Sequence, residues 1–162
     1  YLHDKLENMA AELGIKDRVL FLGIRDNPFA YISRSQVYVS ASLYEGFPNA
    51  LVEAMACGIP VIQTDCMTGP REILSDVYIE KNIDEAEYAE YGILMPDFYR
   101  ADMLRVELDK LIEIFSHNWE KVLRDRELQK KYGKAAQQRA RYYTMDECVR
   151  KYCEVINKVL DS

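Results

Sequence analysis

Residues 40–60 confine this chain to very few folds. Val37-Tyr38-Val39, β-branched and aromatic, leads in as a buried strand would. Glu45-Gly46-Phe47-Pro48 then has to be a loop, because Gly46 reaches backbone angles closed to other residues and Pro48 suits the first position of a helix. From Asn49 to Cys57 the residues are good helix formers, and Gly58 with Pro60 stops the run. Val61-Ile62-Gln63-Thr64-Asp65 follows as the next strand. Strand, helix and strand at this spacing form a βαβ unit, which implies parallel strands and a right-handed crossover. The expected fold class is therefore α/β.

Such a unit sets a helix N-terminus at the carboxyl end of a strand, where free N–H groups and the helix dipole favour an anion. A phosphate suits that spot. Two carboxylates frame it: Glu45 lies in the loop, and Glu53 lies one step of four beyond Asn49, on the stripe of the helix start. Next to an anionic ligand, carboxylates are useful as acceptors of hydroxyl hydrogen bonds. A ligand carrying both phosphate and vicinal hydroxyls, a sugar nucleotide, meets both demands.

Around this unit the pattern continues. Leu2, Leu6, Met9 and Leu13 make one face of a helix that Gly14 ends, a face expected to cover a sheet. Val19-Leu20-Phe21-Leu22-Gly23 reads as a short buried strand, and Asn27 before Pro28 starts a short helix from Phe29 to Arg34. After the third strand, Cys66-Met67-Thr68-Gly69-Pro70 opens a helix at Arg71, a second helix start on the same crevice, where Thr68 and Gly69 stand near a sugar or phosphate or serve as turn residues alone. Glu80, Asp84, Glu85, Glu87 and Glu90, against Lys81 alone, read as solvated acidic surface.

From Ala101 the chain is expected to be helical throughout. Leu104, Leu108, Leu111, Ile112 and Phe115 form a core stripe. Trp119, Val122 and Leu123 are read as opening a second helix, whose basic residues, Lys121 to Arg141, outnumber its acids. A solvated face explains them, and anionic lipid headgroups would also suit them. Thr144-Met145-Asp146-Glu147 forms a capping box ahead of a last helix with Met145, Val149, Tyr152, Ile156 and Val159 on one face.

The composition excludes several classes of function. With 27 acidic against 21 basic residues and a net charge of −6, a general nucleic-acid partner is not expected. No run approaches the ~20 apolar residues of a membrane span, and none reads as a signal peptide. Cys57, Cys66, Cys148 and Cys153 form no C-x-x-C pair, and His3 and His117 are the only histidines. No metal site is expected, and reduced thiols fit a cytoplasmic protein.

Glu45 and Glu53, seven residues apart inside Glu45-Gly46-Phe47-Pro48 and Leu51-Val52-Glu53-Ala54-Met55-Ala56-Cys57-Gly58-Ile59-Pro60, resemble the E-x7-E signature of the retaining group 1 glycosyltransferases of GT-B fold. The likeness continues through Thr64-Asp65-Cys66-Met67-Thr68-Gly69-Pro70-Arg71-Glu72-Ile73-Leu74, similar to members that build capsules, polysaccharides and lipid-linked oligosaccharides, and through Tyr91-Gly92-Ile93-Leu94-Met95-Pro96, similar to the strand that closes their sheet. It covers residues 1–116 well and the C-terminal helices loosely. The resemblance implies a Rossmann-like parallel sheet with flanking helices, the latter part of a GT-B C-terminal domain. Residues 1–162 are read as one donor-binding domain whose segment 101–162 is helical.

The resemblance also implies roles. Glu45 would contact the donor sugar near its reacting carbon. The loop of Gly46 and Pro48 and the backbone N–H groups of Phe47, Asn49, Ala50 and Leu51 would hold sugar or phosphate oxygens, and Glu53 would accept the ribose hydroxyls. The loop with Gly23, Ile24 and Arg25 would lie over the base. No cofactor is implied beyond the nucleotide-diphosphate sugar substrate. Two further strand and helix units, mid-sheet and carrying an arginine and a lysine for the diphosphate, would precede Leu2, as would an acceptor domain. Lipid-linked acceptors imply a peripheral contact at the inner face of the membrane. A non-catalytic nucleotide-sugar-binding module and, third, a glycoside hydrolase using the two acids stay open as alternatives.

Overall fold

The computed structural model describes residues 2–77, 82–98 and 108–160. Its centre is a four-stranded sheet of β1 (Tyr38–Ser40), β2 (Val61–Thr64), β3 (Glu87–Tyr88) and β4 (Ile93–Met95), in the order β1-β2-β4-β3. β1, β2 and β4 run parallel, with Tyr38 beside Val61 and Ile62 beside Ile93, as the βαβ pattern requires. β3 pairs antiparallel with β4, so the segment expected to close the sheet is covered by one more strand.

Pleating sends alternate residues to opposite faces. Val61 and Leu94 meet α3 (Asn49–Ala56) and α4 (Pro70–Leu74) through Leu51, Ala54, Met55, Ile73 and Leu74. Ile62, Ile93 and Met95 meet Phe115 and Val122 of α5 (Leu108–Arg124). α6 (Arg126–Ala140) reaches both clusters, giving Ala136 and Ala140 to the first and Tyr132 to the second. The layers are helix, sheet and helix, the Rossmann-like arrangement expected.

Several expectations need correction. Val19-Leu20-Phe21-Leu22-Gly23 is not a strand: it has no ladder among the described residues, and Leu20 is 80% exposed. α1 (Leu2–Glu12) forms, but Leu2, Leu6, Met9 and Leu13 are exposed, so its apolar face covers no sheet. An apolar sequence dictates extension or helix locally, whereas a ladder and a buried face require neighbours, and the described strands end at β1 on this side.

The helical third also divides differently. Trp119, Val122 and Leu123 continue α5, and the break falls at Asp125, whose carboxylate accepts the N–H groups of Glu127 and Leu128 at 3.0 and 2.9 Å and so starts α6. Leu104 lies outside the described residues. α7 (Met145–Leu160) has the expected apolar face, but that face is exposed. Its capping box is half made: Thr144 Oγ1 accepts Glu147 N–H at 3.3 Å, while the Glu147 carboxylate turns to Arg150 at 2.7 Å.

The acidic segment is only partly solvated surface. Glu87 and Tyr88 form β3, and Glu87 accepts from the guanidinium of Arg71 at 2.9 Å. Glu80 and Lys81 lie outside the described residues. Three residues of the basic helical face are engaged: Arg124 pairs with Glu120, Lys130 with Glu127, and Arg139 donates to the carbonyls of Ile73, Glu72 and Ser75, closing the C-terminal end of α4.

Candidate functional site

The carboxyl ends of β1, β2 and β4 form one edge, the place where open α/β sheets bind ligands. The chain leaves β1 through Ser42, whose carbonyl accepts the Thr64 hydroxyl at 2.5 Å from the end of β2. It then forms the Glu45–Pro48 turn. Pro48 is the N-cap of α3 and Asn49 the first helical residue, one position later than the sequence suggested, because the cap residue holds a non-helical ψ of 81°. Asn49 N–H donates to Phe47 at 2.9 Å, and Leu51 and Val52 donate to Pro48 at 3.0 and 3.3 Å.

That turn corrects one expectation. The amides of Asn49 and Leu51, read as phosphate donors, are engaged by the turn itself, and the Leu51 side chain is core. Phe47 and Ala50 make no backbone bond from their N–H groups among the described residues. Ala50 belongs to the first turn of α3, and Phe47 precedes the N-cap.

The loop leaving β2 locks onto this turn. Thr68 Oγ1 donates to the Glu45 carbonyl. Gly69, at φ 93°, lies so close that a Cβ there would stand 2.5 Å from Pro48 Cδ and 3.1 Å from the Gly46 carbonyl. Glycine is required for both reasons. Thr68 and Gly69, expected either near a sugar or phosphate or as turn residues alone, contact Glu45, Gly46 and Pro48 directly. The ring of Phe47 packs on Tyr143 at 5.6 Å, which ties the turn to the segment between α6 and α7.

Glu45 is half-buried and Glu53 exposed, and both act on the same group. The Tyr38 hydroxyl is pushed above its ordinary value first by burial and then by the negative charges of Glu45 and Glu53. Cys66 is raised to about 11, first by burial, then by Asp97 and Glu45. Asp97 follows the carboxyl end of β4, which runs parallel to β2, and so lies at the same edge; that it follows Pro96 at a strand end was the sequence signal for it.

No described contact brings Gly23, Ile24 or Arg25 to this group; the segment is exposed, and Gly23 turns at φ 64°. Sequence reasoning also missed Asp65 and Arg71. The Arg71 guanidinium donates to both carboxylate oxygens of Asp65 and to Glu87, with Arg71 5% and Asp65 7% exposed. A basic residue six after an acid, across a five-residue loop, was the available signal. Among the described residues, no group of three or more His, Cys, Asp or Glu side chains is placed to hold a metal ion, and no helix is long and apolar enough to cross a membrane.

Comparison with known proteins adds relatives to this geometry. The family model described as glycosyl transferases group 1 matches residues 2–94. An uncharacterized glycosyltransferase of Methanocaldococcus jannaschii is 33% identical over 156 residues, 93% of this chain and 38% of that protein. The N-acetylgalactosamine-N,N'-diacetylbacillosaminyl-diphospho-undecaprenol 4-alpha-N-acetylgalactosaminyltransferase of Campylobacter jejuni is 31% identical over 142 residues, 88% of this chain and 32% of that protein. The chain thus spans 38% and 32% of the length of these curated relatives. In fold it is similar to sucrose-phosphate synthase of Thermosynechococcus elongatus, with a TM-score of 0.69 at 24% identity over 98% of this chain and 34% of that one. It is also similar to Anabaena HepE, solved with UDP and glucose, with a TM-score of 0.67 at 20% identity over 96% of this chain and 36% of that one.

Proposed function

The chain belongs to the group 1 glycosyltransferases, and on that premise we propose that it supplies the donor site for transfer of a hexosyl group from a nucleotide-diphosphate sugar to a glycan or lipid-linked acceptor. The observation that carries this reading is the locked turn at the start of α3: Thr68 and Gly69 hold the Glu45–Pro48 turn, and Glu53 follows on the helix that it opens.

In this reading the diphosphate lies at the start of α3, against the amides of Phe47 and Ala50. Glu53 accepts the ribose hydroxyls. Glu45, fixed through its carbonyl by Thr68, accepts hydroxyls of the sugar near the reacting carbon. As the glycosidic bond to phosphate breaks, negative charge gathers on the leaving diphosphate, and the preorganised helix start stabilises it. One helix terminus supplies about 0.3–2 kcal/mol, so cationic groups outside these residues contribute the rest. The acceptor is bound by a domain outside residues 1–162, and the assembly works in the cytoplasm, peripherally at the inner face of the membrane. That HepE was solved with UDP and glucose, and that the Campylobacter relative bears a transferase name with a diphospho-undecaprenol component, supports this assignment.

Calorimetric titration of UDP, GDP and ADP against the purified chain tests it. One of the three should bind weakly. Glu53→Gln should reduce that affinity by about tenfold, the value of a lost charge-assisted hydrogen bond of about 1.5 kcal/mol. Equal affinity in Glu53→Gln and the parent chain would overturn the assignment. Binding that persists without transfer, once an acceptor domain is restored, would leave a nucleotide-sugar-binding module.

A further inference from the structure

The loop Cys66–Pro70 has a guarded base as well as a contacting tip. Its first flank, Asp65, and its second, Arg71, are joined by a fork of hydrogen bonds: Arg71 Nε lies 3.1 and 3.0 Å from the two Asp65 oxygens, and a terminal nitrogen donates to Asp65 Oδ2 as well. The same terminal nitrogen reaches Glu87 of β3 at 2.9 Å. The guanidinium is thereby fixed to the end of β2 and to the sheet edge at once. At its tip the loop gives the Thr68 hydroxyl to the Glu45 carbonyl and sets Gly69 against Pro48.

We propose that Arg71 is a positioning residue of the donor site, closing the base of the Cys66–Pro70 loop on Asp65 and Glu87 so that the tip holds the Glu45–Pro48 turn in place. The proposal rests on the reading of that turn as the donor site. Arg71 does not itself receive phosphate, because its Nε and one terminal nitrogen are held by two carboxylates and its side chain is buried. Stability alone is a weak reason for such a cluster, since buried ion pairs are frequently no more stabilising than apolar side chains of the same volume. What the planar fork supplies is direction: it fixes the angle at which the loop leaves β2, and a point-charge lysine cannot hold both Asp65 oxygens and reach Glu87.

Arg71→Lys and Glu87→Gln, made in the whole chain, test this through amide hydrogen exchange and nucleotide titration. In Arg71→Lys the amides of 66–69 and 45–50 should exchange about tenfold faster, while those of α6 keep their rates. Affinity for whichever of UDP, GDP or ADP the parent chain binds should fall about tenfold through displacement of the turn. Glu87→Gln should move both readouts in the same direction by less, and it decides the matter if Arg71→Lys does not fold. Unchanged exchange at 45–50, or a uniform rise that includes α6, would overturn the proposal. If the parent chain binds none of the three nucleotides, the donor reading fails, and the exchange pattern still decides whether Arg71 positions the turn.

Discussion

The Thr68 side chain holds the main chain of Glu45, its hydroxyl donating to the Glu45 carbonyl across 23 residues of sequence. The loop leaving β2 is thereby fastened to the loop leaving β1, and the acid assigned to the sugar is placed by a residue from another element.

Thr68→Val keeps the shape of the side chain and removes the donor. The bond is exposed, so its loss should lower global stability by about 0.5–1 kcal/mol. Nucleotide affinity should fall severalfold, because Glu45 loses its anchor. Urea unfolding paired with calorimetric titration checks both, and a variant with unaltered affinity would show that the anchor does not matter for binding.

Local signals in the sequence carried a long way. Gly46, Pro48, Gly58 and Pro60 marked where strand, loop and helix change, since each of these residues narrows or widens the backbone's own options. The helix start and its two carboxylates were therefore legible before any coordinates. What was not legible depends on partners distant in the chain. Val19–Gly23 has strand-like residues and no neighbour to pair with, and the apolar face of α1 is a correct pattern without a sheet beneath it. Arg71 read as an ordinary helix opener, because the spacing to Asp65 is a weak local signal and Glu87 reaches it from 16 residues further along the chain. Likewise the engagement of Asn49 and Leu51 amides follows from the ψ of Pro48, which composition does not fix.

Gly133 lies where α6 crosses the end of α3, and a Cβ there would stand 2.4 Å from the Gly58 carbonyl oxygen. Two effects compete in Gly133→Ala. Alanine favours a helix over glycine by about 1 kcal/mol, while forcing backbone apart in a packed core costs typically 1–3 kcal/mol. The obstacle is backbone, which cannot rotate away as a side chain would, so the clash wins. Net destabilisation of up to about 2 kcal/mol is expected, seen as a thermal midpoint lower by up to about 8 °C.

Gln63 is fully buried on β2, and neither atom of its amide meets a hydrogen-bond partner among the described residues. Burying an unsatisfied amide costs about 1–3 kcal/mol. Gln63→Met retains an unbranched chain of similar length without the polar atoms. It should raise stability by about 1–2 kcal/mol, measured as a higher urea midpoint with unchanged slope. A lower midpoint would mean that the amide is bonded in solution.

The last prediction concerns alkaline pH. Burial, followed by the charges of Asp97 and Glu45, raises Cys66 from 9.0 to about 11, and the side chain is 3% exposed. In the unfolded chain this thiol ionises near 9, so above that pH the unfolded state loses a proton that the folded state keeps. Stability from the neutral thiol is therefore complete below pH 9 and is lost as pH climbs through 11, by about 2–3 kcal/mol in all. Tyr132, raised to about 12 by burial first, adds to the loss at still higher pH. Cys66→Ser removes the thiol's share, so its stability should fall less steeply between pH 9 and 11 than that of the parent chain. Alkylation supplies an independent readout. At pH 8 iodoacetamide should modify the exposed Cys148 and Cys153 readily and leave Cys66 untouched until the chain unfolds. Rapid labelling of Cys66 in the folded protein would show that the edge formed by Asp97, Cys66 and Glu45 is open to solvent, and the pH dependence derived from its burial would fail with it.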